Sequence, residues 1–261
     1  MRAGSRVKIF VAVDDDASLL PHFLRHYSSQ GVTRFFIAAH PDSAAEVRRR
    51  CRGYRAVVVR DADTAESVEG GTRAVTALRL KHSGPREWVA LADLDEFQIH
   101  EGGVRASARR AEREGANAVR GVMIDRVAAD GSLPDFDDAS DLWSLYPARC
   151  RLTKRLQGGL DYKCALVRGH LLSANAHHRL RGEKRSSRRV EIHHFKWNAR
   201  AVPRIRRAIR RIKAAGLGWH VEYERVLAHL RRHGRLRWRD FSAPRAAQRP
   251  NSARSARAAR R

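Results

Sequence analysis

Apolar and polar positions along the first half of this chain alternate between two periods. Val7 to Val13 is a short, nearly continuous apolar run of the kind that makes a buried strand. Leu20, Phe23, Leu24 and Tyr27 then recur at three and four residues, the spacing of one helix face. Ser18 is the expected N-cap, Pro21 falls in the first turn where a missing N–H costs nothing, and Gly31 is the expected stop. Further strands are predicted at Arg34 to Ala39, Arg55 to Arg60 and Glu87 to Ala92, with helices near Ser43 to Arg50 and Ala65 to His82. That alternation predicts right-handed βαβ units, and so an α/β fold with a mostly parallel central sheet flanked by helices. Ligands of such sheets gather beyond the carboxyl ends of the strands, where Asp14, Asp15 and Asp16 and a second acidic group around Asp93 both fall.

After Val127 the rhythm breaks. Residues 128 to 162 are rich in Asp, Gly and Pro and read as one long loop. Strands resume at Lys163 to Arg168 and Val190 to Trp197. A helix is predicted from Pro203 to Gly216, with Ile205, Ile209 and Ile212 on one stripe, and a second from Trp219 to Arg232. From Ala243 onward the chain holds six Arg, two Pro, no acids and no large apolar residue, so a disordered basic tail is expected. The domain reading is a single unit over residues 1–242 followed by the tail 243–261.

Charge sharpens this picture. The 261 residues carry 53 Lys and Arg against 28 Asp and Glu, a formal net charge of +25, so acidic clusters stand out and polyanionic company is implied. Cys51, Cys150 and Cys164 show no C-x-x-C spacing and cannot all pair, which speaks against a zinc knuckle or a disulfide framework. The apolar run at Val7 to Val13 is too short for a signal-peptide core, and no segment reaches the length of a membrane span. The expected location is the cytoplasm, with peripheral contact at the inner membrane face, through the Arg-rich C-terminal region, as the further option.

The chemistry concentrates where the run from Trp88 to Ala92 ends in Asp93, Asp95 and Glu96. If the strand continues, alternation puts Asp93 and Asp95 on one face. Two carboxylates at a strand end suit a hard divalent cation, Mg²⁺ or Mn²⁺, that also takes substrate phosphates. As a like-charge pair they would repel, so Asp93→Asn is expected to stabilise the metal-free chain slightly.

Several segments together resemble a known family. The stretch from Asp15 to Tyr27, with Leu20, Pro21, Phe23, Leu24 and His26 in order, is similar to the opening motif of the family-2-like glycosyltransferases, as is the stretch from Gly31 to Ile37. The segment from Trp88 to Phe97 resembles that family's DxDEF motif, and Tyr162 to Arg168 and Ile192 to Trp197 resemble two later segments; together these span roughly residues 7 to 215. Asp15-Asp16 stands where the family usually has Asn-Glu, and of its acidic turn after the second strand only Asp42 remains.

The resemblance implies a GT-A fold, a nucleotide-sugar donor, and a cation bridging Asp93 and Asp95 to the donor diphosphate, with His194 completing the coordination and Glu96 supporting it. Donor contacts are expected from Asp15, Asp16, Asp42 and Lys163. An inverting reaction also needs a carboxylate to take the acceptor's proton, for which Asp141 and Asp161 are the candidates. The acceptor expected is a glycan or another hydroxyl compound. The alternative class is a basic protein that binds nucleic acid or another polyanion without transferase activity. A nucleotidyltransferase ranks behind both, since the Gly-Ser helix expected upstream is missing.

Overall fold

The computed structural model describes residues 7–61, 70–175 and 177–242. The expected tail from Ala243, and the first residues of the helix expected from Ala65, lie outside the described residues. β1 (Lys8–Val13), α1 (Leu20–Ser29), β2 (Arg34–Ala39), α2 (Ala44–Arg50), β3 (Ala56–Arg60), α3 (Gly70–His82) and β4 (Trp88–Leu91) follow the predicted alternation. β5 (Glu96–Ile99), α4 (Val104–Arg113) and β6 (Ala118–Val127) come next and are not among the elements that the pattern predicts. The expected loop contains a short helix α5 (Leu142–Leu145), the strand β7 (Ala148–Cys150) and one wide helical turn at Thr153–Gln157. β8 (Tyr162–Arg168), β9 (Ser173–Asn175), β10 (Arg179–Leu180), β11 (Val190–His194), α6 (Ala201–Ala214) and α7 (His220–His233) complete the order.

The central sheet runs β3-β2-β1-β4-β8-β6-β11-β5, with β7 paired beside β6; β9 and β10 form a separate two-stranded ribbon. Its βαβ half, β3 through β4, is parallel. Beyond β4 it is mixed: β8 is antiparallel to both β4 and β6, β11 is parallel to β6, and β5 is antiparallel to β11. The expectation of a mostly parallel sheet therefore holds for the N-terminal half alone. β5 is reached from β4 by four residues, too few for the helical crossover that returns a chain in the same direction. The sheet curls enough for Gln98 Nε2 on β5 to donate to the carbonyl of Leu91 at the end of β4, 2.6 Å away.

Helices cover both faces. One core joins the apolar stripe of α1 to α2, α4 and the strand positions Ile9, Val11 and Val13; a second packs Ala74, Val75 and Leu78 of α3 against Phe10, Leu91 and Val167. Each large side chain so buried contributes roughly 1.5–3 kcal/mol. A third cluster seats α6 and α7 through Ile205 and Val226 on Val127, Cys150 and Trp197. Gly121 lets β6 and β11 close up, because a Cβ there would stand 2.3 Å from Ile192 Cδ1. The start of α1 differs from the expected cap. Ser18 does not cap the helix; its N–H instead donates to Asp16 Oδ1 at 2.9 Å, so the turn is closed by the acid. Gly31, at φ 87°, does end α1 as expected. No described helix is long and apolar enough to cross a membrane.

Candidate functional site

The C-terminal ends of β1, β2, β4, β6 and β11 and the N-terminal end of β8 share one edge of the sheet, and there the acids gather. β4 stops at Leu91, so Asp93 and Asp95 lie in the turn before β5 and not on a continued strand. Strand alternation therefore does not set their directions. Each is tied instead to a different cation.

Lys163 on β8 is buried and donates to Asp93 Oδ2 and, at 3.0 Å, to Glu96 Oε1. Glu96 Oε2 in turn accepts from the Asp93 N–H at 3.1 Å. Tyr27 of α1 anchors the turn from below, donating its hydroxyl to the Glu96 carbonyl at 2.8 Å and accepting from Gln98 N–H at 3.2 Å. The surrounding chain acts to raise the pKa of Asp93, but the Lys163 ammonium outweighs it and holds the carboxyl below its usual range. Burial wins at Glu96 and raises it, with Lys163 opposing and Asp93 adding to the rise. Because 61% of the Asp93 side chain is exposed, water screens its ion pair. The expected gain from Asp93→Asn is thus reversed. Lys163, not Asp95, is the dominant neighbouring charge, so the substitution loses a small attraction.

Asp95 is held from the other side. Its Oδ2 lies 3.4 Å from His194 Nε2 on β11 and 3.5 Å from Arg204 Nη1 on α6. Burial acts to raise it, but those cations prevail and hold it far below the usual carboxylate range. Asp125 on β6, which no sequence signal singled out, completes the group. Its buried carboxylate accepts from Thr153 N–H and Thr153 Oγ1, each at 2.7 Å, and from Trp197 Nε1 at 2.9 Å, and lies 3.4 Å from His194 Nδ1.

Both ring nitrogens of His194 thus face carboxylates. Burial alone would lower its pKa, yet Asp95 and Asp125 raise it from 6.5 to about 9. Protonated between these two carboxylates, His194 positions Asp95; to act as the expected metal ligand it would give up that proton. The stability carried by this raised pKa is complete below 6.5 and is lost as pH rises through about 9. The chain is expected to lose up to about 3 kcal/mol over that window. His194→Gln should flatten this part of a denaturant-midpoint profile against pH; an unchanged slope would place its source elsewhere.

The other expected site residues are spread around this edge. Asp15 and Asp16, after β1, pair with Arg207 at 3.3 Å and Arg200 at 3.6 Å, so α6 and its approach clamp the loop. Asp42, after β2, is almost fully exposed, 3.6 Å from His40. Asp141 is engaged as the N-cap of α5, accepting from Trp143 N–H at 3.1 Å and Ser144 Oγ at 2.5 Å. Asp161 lies two residues before Lys163, extends the β6–β8 ladder by accepting from Met123 N–H at 2.8 Å, and pairs with Arg151 at 3.4 Å. His177 faces the same charges: burial and Lys163 push it down to about 3, so it stands neutral. It also takes a positive φ of 66°, a conformation that non-glycine residues adopt at a cost and that gathers at functional sites.

Sequence reasoning missed Asp125, Arg200, Arg204 and Arg207 as members of the site. A lone acid in the strand-like run Ala118–Val127 was the available signal for the first. The spacing of Arg200, Arg204, Arg207 and Arg211 along one helix face was the signal for the others. Among the described residues no three His, Cys, Asp or Glu side chains converge as a ready-made metal cage. Asp93 and Asp95 each meet their cations through Oδ2.

Fold and site together define a mixed α/β protein with a cluster of paired acids and bases beyond the strand ends. No family model matches the chain, and no curated protein sequence does. Among solved structures it is similar to a 4-diphosphocytidyl-2C-methyl-D-erythritol synthase, at 13% identity and TM-score 0.37 over 64% of this chain and 76% of that one. The same enzyme from Anaerococcus prevotii DSM 20548 aligns at 10% identity and TM-score 0.36 over 75% and 92%. A UDP-glucose pyrophosphorylase complexed with UDP-glucose aligns at 10% and 0.31 over 52% and 65%. Likeness at this level carries no argument about the reaction.

Proposed function

We propose that this chain is a glycosyltransferase that moves a sugar from a nucleoside-diphosphate donor to a hydroxyl acceptor, at the strand-end edge between the acid turn and α6. The observation that carries the reading is the state of Asp93 and Asp95 within the DxDEF segment. Each has Oδ2 tied back to a protein cation at the strand-end edge, where 61% of the Asp93 side chain and 17% of the Asp95 side chain stay exposed. One or two carboxylates together with substrate phosphates suffice to hold Mg²⁺ or Mn²⁺, so such a site needs no complete protein cage. A cation held there would neutralise charge on the departing diphosphate.

The chain's own residues do the rest. Arg200, Arg204 and Arg207 already face Asp16, Asp95 and Asp15, and they supply a preset positive field for donor phosphates. Buried Lys163 and protonated His194 hold the two aspartates so that they need not reorganise as charge develops. Of the two candidate bases, Asp161 shares the ladder end with Lys163, whereas both recorded uses of Asp141 are in capping α5.

The test is a screen of nucleotide sugars for nucleoside diphosphate release, with Mn²⁺ or Mg²⁺ and with chelator. Asp93→Asn is expected to lower release by about 100-fold or more while the fold persists, given the exposure of that side chain. Equal release by Asp93→Asn and the native chain would defeat the reading. Pyrophosphate release from a nucleoside triphosphate would instead favour nucleotidyl transfer.

A further inference from the structure

The helical hairpin of α6 and α7 carries two features that the acid-turn site does not use. At its tip Leu217, Trp219 and Val221 keep 39%, 37% and 42% of their surface exposed, three of the six exposed large apolar residues among those described, within five positions of one another. Along its flank runs an open groove of about 670 Å³ with Ile209, Val221 and Leu227 in its lining, flanked by Arg206, Arg210 and Arg231. Val221 belongs to both, so tip and groove form one continuous surface.

Charge on the hairpin is one-sided. Residues 201–233 hold nine Lys and Arg and two Glu, Glu222 and Glu224. Arg204 and Arg207 are turned to Asp95 and Asp15, and Lys213 takes Glu224 at 2.7 Å. Arg206, Arg210 and Arg231 meet no carboxylate within ion-pair distance among the described residues. They flank the apolar surface together with Arg225 and a single acid, Glu224, which Lys213 takes.

We propose that this hairpin docks on an anionic lipid bilayer, with Leu217, Trp219 and Val221 entering the headgroup boundary and Arg206, Arg210 and Arg231 meeting lipid phosphates. A tryptophan between two aliphatic side chains at a helical corner suits the interface, where its ring is half wet. Cations beside a shallow apolar wedge are the two signals that together anchor a peripheral protein. A polynucleotide fits less well. It would use stacking platforms spaced along a basic track, and here the one exposed tryptophan leans on Tyr223 at 6.0 Å. The docking does not depend on the reaction assigned to the acid-turn site.

Flotation of the full chain with vesicles of phosphatidylcholine and phosphatidylglycerol, against phosphatidylcholine alone, tests this. Binding is expected to the anionic vesicles only. The exposed-site variant Leu217→Ser/Trp219→Ser/Val221→Ser, folded by circular dichroism, should lower partitioning about tenfold or more. Arg206→Glu/Arg210→Glu should lower it as well. Brominated acyl chains should quench fluorescence that Trp219→Phe removes while that variant still binds. Failure to bind anionic vesicles overturns the proposal. So does binding that the triple serine variant retains without quenching, which would assign the attraction to residues 243–261 or another basic surface. Capture of a polynucleotide or acidic peptide by Arg206 and Arg210, in place of vesicles, overturns it too.

Discussion

Asp125→Ala is expected to cost about 3–5 kcal/mol, a large share of the stability of an ordinary domain. The wild-type carboxylate is 1% exposed and satisfies Thr153 N–H, Thr153 Oγ1 and Trp197 Nε1 while facing the His194 imidazolium. Alanine leaves those donors buried without acceptors, each at the desolvation cost of an unmade bond, and removes one of two anions from a buried cation. The three partners come from different parts of the chain: the helical turn after β7, the segment after β11, and β11 itself. The loss should therefore loosen the α6–α7 hairpin with the strand ends. Asp125→Asn keeps one acceptor oxygen but aims an amide N–H₂ at a donor, so a smaller loss of about 2 kcal/mol is expected. Urea unfolding of the three chains side by side measures this, and a deficit under about 1 kcal/mol for alanine would refute the account.

Lys163→Met is expected to lower stability by a similar amount, about 3–5 kcal/mol at neutral pH. Methionine nearly matches the lysine stem in volume, so the loss isolates the charge and not a cavity. Without the ammonium, Glu96 is left 1% exposed with Asp93 as its nearest charge. Glu96 already has a raised pKa in the folded chain, because burial outweighs Lys163. A raised folded pKa gives stability that is complete below the unfolded value, near pH 4, and is lost as pH climbs through the folded value. The deficit of Lys163→Met should therefore shrink at acid pH, where Glu96 enters the folded state protonated. Adding Glu96→Gln should recover part of the loss at neutral pH, with a coupling of about 1–3 kcal/mol in a double-mutant cycle. Additive losses would mean that Lys163 and Glu96 do not act as a pair.

Both effects turn on residues whose roles the amino-acid order shows unequally. Lys163 and Glu96 stand in segments that drew attention through family resemblance and through the carboxylate run. Asp125 sits mid-strand in a ten-residue run that carries a glycine, two arginines and an aspartate, and so lacks a clean period. The acid turn is a middle case. Its residues were legible, but a strand stopping at Leu91 turned an expected same-face pair into two carboxylates held by separate cations. His194 was legible as a site residue but its two carboxylate partners were not, since only the approach of β6 and of the acid turn brings Asp125 and Asp95 to its two nitrogens.

Local order in this chain was enough for its first four strands, the α1 stripe, the C-terminal helix pair and the acids at the strand ends, because apolar periodicity reflects which face of each element must leave water. The mixed half of the sheet, the curl that brings β5 back toward β4, and the partners of every buried charge were settled by packing. Such charges persist out of water only where a counter-ion or donor arrives from a distant part of the chain. Those long-range pairings leave no period in the amino-acid order.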